Sequence, residues 1–332
     1  MKAIVIPHRP CAPEELLIKD VPDPTPTPGM TTIAVRAFGI NHAEMHMRRG
    51  EWAESTAVSG IECVGVVHAC PDGTFPPGAK VAAVMGGLGR TINGTYAQYT
   101  NAPSANVVQI AGPGGELGMS WQDLAALPES YATAWTVLMR NLEIKEGDKV
   151  LIRGATSALG TAAVQLAVRQ VGAKVWATTR RQEGVAELMA RGVVGVDLED
   201  PNLSQKLRAK GQVFDKVLDL IGNTVLLDSL KIPRRGGRVC IAGFLGGLAP
   251  LEFNPLTQMA SGVQLSFFGS FVFGDEGFPL SDVPLRAIIG DVASGKWDAK
   301  PSRVFPFEKV GDAHKHMEDG TAGGKMVVTV SV

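Results

Sequence analysis

The stretch "LIRGATSALGTAAVQLA" (Leu151–Ala167) decides how this chain is read. Its first residues are strand-like and end at Arg153. Gly154 follows, then Ala155, Thr156, Ser157, Ala158 and Leu159, then Gly160 and a helix-like segment. A turn that opens a helix after a strand presents free backbone N–H groups and the positive end of the helix dipole, and so suits an anion such as a pyrophosphate. Glycines there let the backbone approach the phosphates and let the helix pack on the strand. Here Gly154 and Gly160 remain, and of Ser157, Ala158 and Leu159 between them all but Leu159 are small. Close approach is still possible, but the turn alone is equally compatible with a plain strand–helix connection.

The next strand separates the two readings. "KVWATTRRQE" (174–183) ends with Thr178, Thr179, Arg180 and Arg181, about 20 residues past the turn, where an acidic side chain would hold the ribose 2′-hydroxyl of NAD. Two arginines beside hydroxyls offer instead a fork for the 2′-phosphate of NADPH. The plainer alternative is a solvated charge pair opening a helix. The helix dipole opposes Arg at that end, so an anionic partner is expected.

Moving outward, "KVLIR" (149–153), "KVWATT" (174–179), "KVLDL" (216–220) and "GRVCIA" (237–242) read as strands. Helical stretches lie between them, such as the one carrying Leu159, Ala162, Ala163, Leu166 and Ala167 on one face. Strand and helix alternating in this way predict a doubly wound parallel sheet. Residues 1 to about 120 differ: short apolar runs ("KAIVI", "TTIAVRAFGI", "ECVGVVHA", "AKVAAVM") are separated by "DPTPTPG" and "PDGTFPPG", the spacing of a β-rich, barrel-like region. The last fifty residues return to helices and short strands, ending in "KMVVTV" (325–330). A chain of 332 residues exceeds one ordinary core, so two domains are expected.

Composition narrows the partners. With 32 basic and 33 acidic residues, there is no electrostatic basis for binding nucleic acid or an anionic membrane. No apolar run reaches about 18 residues, and no signal-peptide pattern opens the chain, so a cytoplasmic protein is expected. Cys11, Cys63, Cys70 and Cys240 show no metal-ligand spacing, which argues against a structural zinc lobe or a disulfide framework. His314 and His316 lie two apart on a predicted helix, point to different faces, and read as surface or packing residues.

With these residues in hand, the chain resembles, nearly end to end, the medium-chain dehydrogenase/reductase superfamily in its zinc-free quinone oxidoreductase (zeta-crystallin-like) branch. "GINHAEMHMRRG" (39–50) is similar to the family's G-x-N-x-x-[DE]-x-x-x-R-x-G segment. "GIECVGVV" (60–67) sits where zinc-dependent members carry G-H-E. "ALPESYATAW" (126–135) resembles the crossover into the nucleotide domain, and "KEGDKVLIRGATSALG" (145–160) the family's phosphate turn. "DKVLDLIG", "GGRVCIAGF" and "GGKMVV" follow in order; Ser157 and Ala158 depart from the usual glycines.

The resemblance implies an α/β fold, with a Rossmann doubly wound parallel sheet domain (126–271) binding NADPH and a GroES-like β-rich catalytic domain (1–125, completed by 272–332). It implies no catalytic metal, because Asn41 and Ile61 stand at the zinc-ligand positions. It places Asn41 and His46 at the nicotinamide end as candidate catalytic and cofactor-side residues, although His46 stands where many relatives have Tyr. Thr133 matches a cofactor-side hydroxyl, and Thr156, Ser157, Ala158, Leu159 and Gly160 match the pyrophosphate turn. Thr179, Arg180 and Arg181 fall at the 2′-phosphate; Gly243, Phe244, Ser270 and Phe271 fall beside the nicotinamide ribose and ring. Glu62 reads as a structural hydrogen-bond acceptor. "GVQLSFFGSF" (262–271) resembles a strand that pairs across a homodimer.

The expected activity is hydride transfer from NADPH to a quinone or an α,β-unsaturated carbonyl, without zinc. The alternatives are an enoyl reductase, or an NADPH-binding structural or regulatory protein with little turnover.

Overall fold

The computed structural model describes residues 1–331, which divide into two compact units: Met1–Ala132 together with Ser270 onward, and Thr133–Gly269.

The first unit begins with β1 (Lys2–Val5) and β2 (Leu17–Asp20), an antiparallel pair. After the Pro-rich segment comes β3 (Met30–Ile40), then helix α1 (His42–Arg49), β4 (Glu62–Ala69), β5 (Lys80–Val84), β6 (Tyr99–Pro103) and β7 (Val107–Ala111). β3 is long because it serves three partners: its N-terminal half pairs with β6, its C-terminal half with β15, and it also pairs with β4 through two register shifts, at Thr32/Ile33 and Val35/Ala37. Such irregularities bend a strand and increase its twist, as a curled, β-rich sheet requires.

The second unit holds β8 (Lys149–Arg153), helix α2 (Ala158–Gln165), β9 (Lys174–Thr179), helix α3 (Glu183–Ala190), β10 (Gly195–Leu198), β11 (Phe214–Asp219), β12 (Pro233–Ile241) and β13 (Gln264–Phe267). All pairs are parallel, in the order β10-β9-β8-β11-β12-β13. This is the Rossmann order, with its reversal between β8 and β11. The central strands read as near-continuous apolar runs because both faces are covered. Val150, Leu151 and Ile152 are fully buried, and Leu151, Leu203, Leu207, Phe214, Val217 and Val239 share one core.

The chain then returns to the first unit with β14 (Arg303–Pro306), helix α4 (Val310–Glu318) and β15 (Met326–Thr329). β15 pairs antiparallel with the C-terminal half of β3, giving the path β14-β15-β3-β4-β5-β7 with β6 on β3. Ile33, Val35, Phe38, Cys63, Val81, Phe307 and Val328 form its core, and Phe38 stacks on Tyr96 at 4.6 Å. On α4, His314 is buried while His316 is only partly so. The Tyr96 hydroxyl lies 2.9 Å from His314 Nε2, and Arg48 Nε donates to Nδ1 at 3.4 Å. An imidazole that accepts at Nδ1 carries its proton on Nε2, so His314 is a neutral packing residue donating to Tyr96.

Candidate active site

The reversal point of the parallel sheet is where an open α/β fold opens a crevice beyond its strand ends. On the β8 side the chain leaves Arg153 through Gly154, whose φ of 78° lies in the left-handed region that glycine adopts without strain. The Gly154 N–H donates to Thr178 Oγ1 at 3.0 Å. Ser157 caps α2: its hydroxyl accepts from the Gly160 N–H at 3.1 Å and donates to the Gly154 carbonyl at 2.8 Å. Ser157 thus supplies by side chain the turn geometry that a glycine-rich loop reaches by backbone freedom. Among the described residues, the N–H groups of Ala158 and Leu159 have no acceptor. Gly160 is required for close packing, since a Cβ there would lie 2.5 Å from the Gly154 carbonyl oxygen and 2.7 Å from Ala155 Cα.

On the β11 side, Asp219 accepts from the N–H groups of Ile221 and Gly222, both at 2.9 Å, and from Ser229 at 2.6 Å. Burial pushes its carboxyl above the usual range, against these hydrogen bonds. Gly222 lets the Gly243–Phe244 loop come close: a Cβ on it would meet the Gly243 oxygen at 2.8 Å and Phe244 Cδ1 at 2.9 Å. Beneath the crevice, Arg153 is wholly buried. It pairs with Glu199 and with Asp228 at 2.9 Å and donates to Ser229 at 3.0 Å. Thr178 Oγ1 donates to the same Glu199 at 2.5 Å, so this acid at the end of β9 is already engaged. Arg180 and Arg181 are exposed just past that strand end, and Arg180 has no partner among the described residues. A Cβ on Gly184 would lie 2.6 Å from Thr179 Oγ1 and 3.0 Å from Thr156 Cγ2. Thr156, Thr179 and the start of α3 therefore meet beside Arg180.

The first unit carries a different arrangement. Asn41 caps α1, and Glu44 at the third helical position accepts from the Asn41 N–H at 2.7 Å, a capping box. The carboxamide of Asn41 is fully engaged: Nδ2 donates to Glu62 Oε1 at 3.0 Å and to Glu44 Oε1 at 3.3 Å, and Oδ1 accepts from Lys325 Nζ at 2.6 Å. Lys325 also pairs with Glu62, whose other oxygen accepts from the Glu129 N–H at 2.9 Å. Glu44 and Glu62 are both fully buried and Lys325 nearly so. Gly39 makes room for them, since a Cβ there would sit 2.3 Å from Glu62 Oε1. Two buried carboxyl groups lie near one ammonium, which pairs directly with Glu62 alone. Burial, aided by the charge of Glu62 and opposed by Lys325, pushes the Glu44 carboxyl up to about 7.

One turn along α1, His46 Nδ1 bonds the carboxylate of Glu51. A carboxylate only accepts, so the proton sits on Nδ1 and Nε2 is the remaining ring atom. The ring stacks on Trp52 at 5.9 Å and 15°. The guanidinium of Arg90 lies 5.9 Å from the Trp52 ring centre and 4.8 Å from that of Phe271. Gly50 closes the helix in the left-handed conformation and turns the chain toward Glu51 and Trp52.

Residues 27–112 match the alcohol dehydrogenase GroES-like domain, and residues 188–328 match the zinc-binding dehydrogenase family. The quinone oxidoreductase of Lama guanicoe is 28% identical over 326 residues, spanning 95% of this chain and 94% of its own. The human quinone oxidoreductase is also 28% identical, over 330 residues. A solved NAD-dependent alcohol dehydrogenase superposes with a TM-score of 0.82 at 26% identity, covering all of both chains. The chain is a member of the medium-chain dehydrogenase/reductase superfamily. It is an oxidoreductase acting on a small molecule.

In this superfamily member the sequence-derived site residues fall into two groups. The second unit gathers Thr156, Ser157, Ala158, Leu159, Gly160, Thr179, Arg180 and Arg181 around the ends of β8 and β9, with Gly243 and Phe244 at the end of β12. Thr133, buried, is that unit's first residue. The first unit holds Asn41 and His46 on α1, with Ser270 and Phe271 in a short 3-10 turn. Phe271 connects to His46 through Arg90 and Trp52. Glu44, Glu51, Trp52, Arg90, Arg153 and Lys325 escaped the sequence reading. The "GGKMVV" motif marks the segment of Lys325 but not the role of its charge. Among the described residues no helix is long and apolar enough to cross a membrane.

Proposed function

We propose that the protein is an NADPH-dependent reductase of quinones or α,β-unsaturated carbonyls that works without catalytic zinc. NADPH, when bound, supplies a hydride to the electrophilic acceptor. The Ser157-capped turn would hold the pyrophosphate through the Ala158 and Leu159 N–H groups, and Arg180 and Arg181, beside Thr179, the 2′-phosphate. The relatives named quinone oxidoreductase support the acceptor class.

The observation that carries the zinc-free reading is the ammonium of Lys325, bonded to both Asn41 and Glu62. Asn41 and Ile61 stand where the resemblance puts zinc ligands. The ammonium already engages Glu62 Oε1 and Asn41 Oδ1, so neither oxygen is left free for a divalent ion. Asn41 then acts by fixing the start of α1, which carries His46. Reduction of a quinone consumes a hydride and a proton. With the His46 Nδ1 proton held by Glu51, Nε2 is the ring atom that carries or releases the transferred one.

The free thiols of all four cysteines suit a reducing compartment such as the cytoplasm. β13, an edge strand with exposed Phe267, is the expected seam of a homodimer, which light scattering would detect. The test of the activity is NADPH oxidation with a panel of quinones and enones, beside NADPH binding by fluorescence and metal analysis of the purified protein. Oxidation that survives chelators, in protein with less than stoichiometric zinc, is the expected result. Binding without oxidation of any acceptor would favour a structural or regulatory NADPH-binding protein, and activity lost with removal of bound zinc would overturn the metal-free reading.

A further inference from the structure

Arg90 lies in the tight loop after β5, where Gly87 and Gly89 adopt the left-handed conformation. The loop is fixed by hydrogen bonds from the Arg90 N–H to the Gly87 oxygen at 3.0 Å and from the Gly89 N–H to the Ile92 oxygen at 2.9 Å. Leu88, fully buried, anchors it in the core. The guanidinium is therefore presented by a rigid support. Its planar group lies over Phe271 and Trp52, and Nη2 donates to Glu54 at 2.9 Å. Nε is buried and has no acceptor among the described residues. An Arg side chain does not give up its proton, and a buried donor without an acceptor costs folding free energy. The arrangement thus lacks one oxygen.

We propose that this oxygen comes from the acceptor substrate: Arg90 Nε–H is the hydrogen-bond donor to a carbonyl oxygen of a planar conjugated carbonyl compound, with Trp52 and Phe271 as the aromatic surfaces beside it. The Nε–H bond lies in the guanidinium plane, so a coplanar ligand meeting it runs alongside the two rings. Trp52 also stacks on His46, so the aromatic wall beside the bound carbonyl continues to the imidazole on its far side. The charged groups around Arg90 are Glu54, its exposed partner, and, beyond Trp52, the His46–Glu51–Arg49 set. Glu54 engages Nη2 and leaves Nε without an acceptor among the described residues. The inference rests on the quinone or enone reading above and names the residue that would select those substrates.

The test uses the full-length protein without cofactor. Binding of duroquinone, which has no open ring position for thiol addition, is measured by equilibrium dialysis, beside durene, its oxygen-free counterpart. Arg90→Met keeps much of the bulk and loses every donor, and should weaken duroquinone by about tenfold or more, the usual worth of a charge-assisted hydrogen bond, while durene changes less than about twofold. Arg90→Lys keeps the charge but not the in-plane Nε–H, and should restore only part of the loss. Unchanged duroquinone binding in Arg90→Met would overturn the proposal and leave the quinone reading standing. Equal weakening of both ligands would assign Arg90 a packing role and overturn it too. Failure of the unaltered protein to bind duroquinone, with no quinone or enone reduced, would overturn both.

Discussion

In the turn from Gly154 to Gly160, the hydrogen bond that sets the geometry spans three residues, from the Gly160 N–H to Ser157 Oγ. Around Asn41 the bonds span 21 residues to Glu62 and 284 to Lys325. The first site is made of backbone geometry, with one side chain as cap. The second is made of side-chain charges brought together from α1, β4 and the approach to β15. A backbone site is robust to the identity of its small side chains, which is why Ser157 and Ala158 replace glycines without loss of form. A charge cluster depends on every member, because removing one leaves another buried and unpaired.

The largest effect should therefore come from the cluster. Lys325→Met leaves the Glu62 carboxylate buried without its cation, a change that costs about 3–5 kcal/mol. Urea denaturation at neutral pH should show that loss, and Glu62→Gln/Lys325→Met together should recover much of it. A loss below about 1 kcal/mol for Lys325→Met would place the pair among the weak surface type and break the contrast drawn here.

A smaller effect follows from Glu44. Its carboxyl is raised to about 7 in the folded protein, above its value in an unfolded chain, so the folded state holds the proton more tightly. This contribution is fully present below the unfolded value of about 4.5 and is lost as pH rises toward 7. His314 works in the opposite sense: burial, with Arg48 beside it, pushes it down to about 3, so its contribution is lost as pH falls below about 6.5. The informative quantity is the difference between the unaltered protein and Glu44→Gln across pH 4.5–7, which should be a sloping line. A difference independent of pH would remove Glu44 from the account.

The smallest effect belongs to the backbone site. Ser157→Ala removes the cap of α2 and should cost about 1 kcal/mol, with weakened NADPH binding and the first unit undisturbed. Tryptophan fluorescence and calorimetry would register both. A loss as large as that of Lys325→Met would show that the turn, too, depends on a single side chain.

The same contrast explains what could be read in advance. Both sheets announced themselves through local pattern: β-branched runs, the Gly154–Gly160 turn, and the arginines past β9 where an acid would mark NAD. Asn41 and His46 came from the resemblance, and Glu62 was recognised as an acceptor without its donor. Lys325 could not be paired with it, because nothing in "GGKMVV" says which residue 263 positions earlier it meets. Glu51 and Trp52 look like ordinary residues after a helix, and Arg90 like a charge in a glycine-rich turn. Only the fold sets one ring between an imidazole and a guanidinium. Arg153 reads as the polar end of a strand, and its burial depends on Glu199 and Asp228 arriving from elsewhere.

Cofactor choice tests the account most directly, and binding alone decides it. The unaltered protein, Arg180→Ala and Arg181→Ala are titrated with NADPH and with NADH, following cofactor fluorescence. A charge-assisted hydrogen bond to the 2′-phosphate is worth about 1.5–3 kcal/mol, so NADPH should bind the unaltered protein at least about tenfold more tightly than NADH. Arg180→Ala, which removes a guanidinium without a partner among the described residues, should close most of that gap by weakening NADPH while leaving NADH nearly unchanged. Equal affinity for the two cofactors in the unaltered protein, or an equal loss of both in Arg180→Ala and Arg181→Ala, would contradict it.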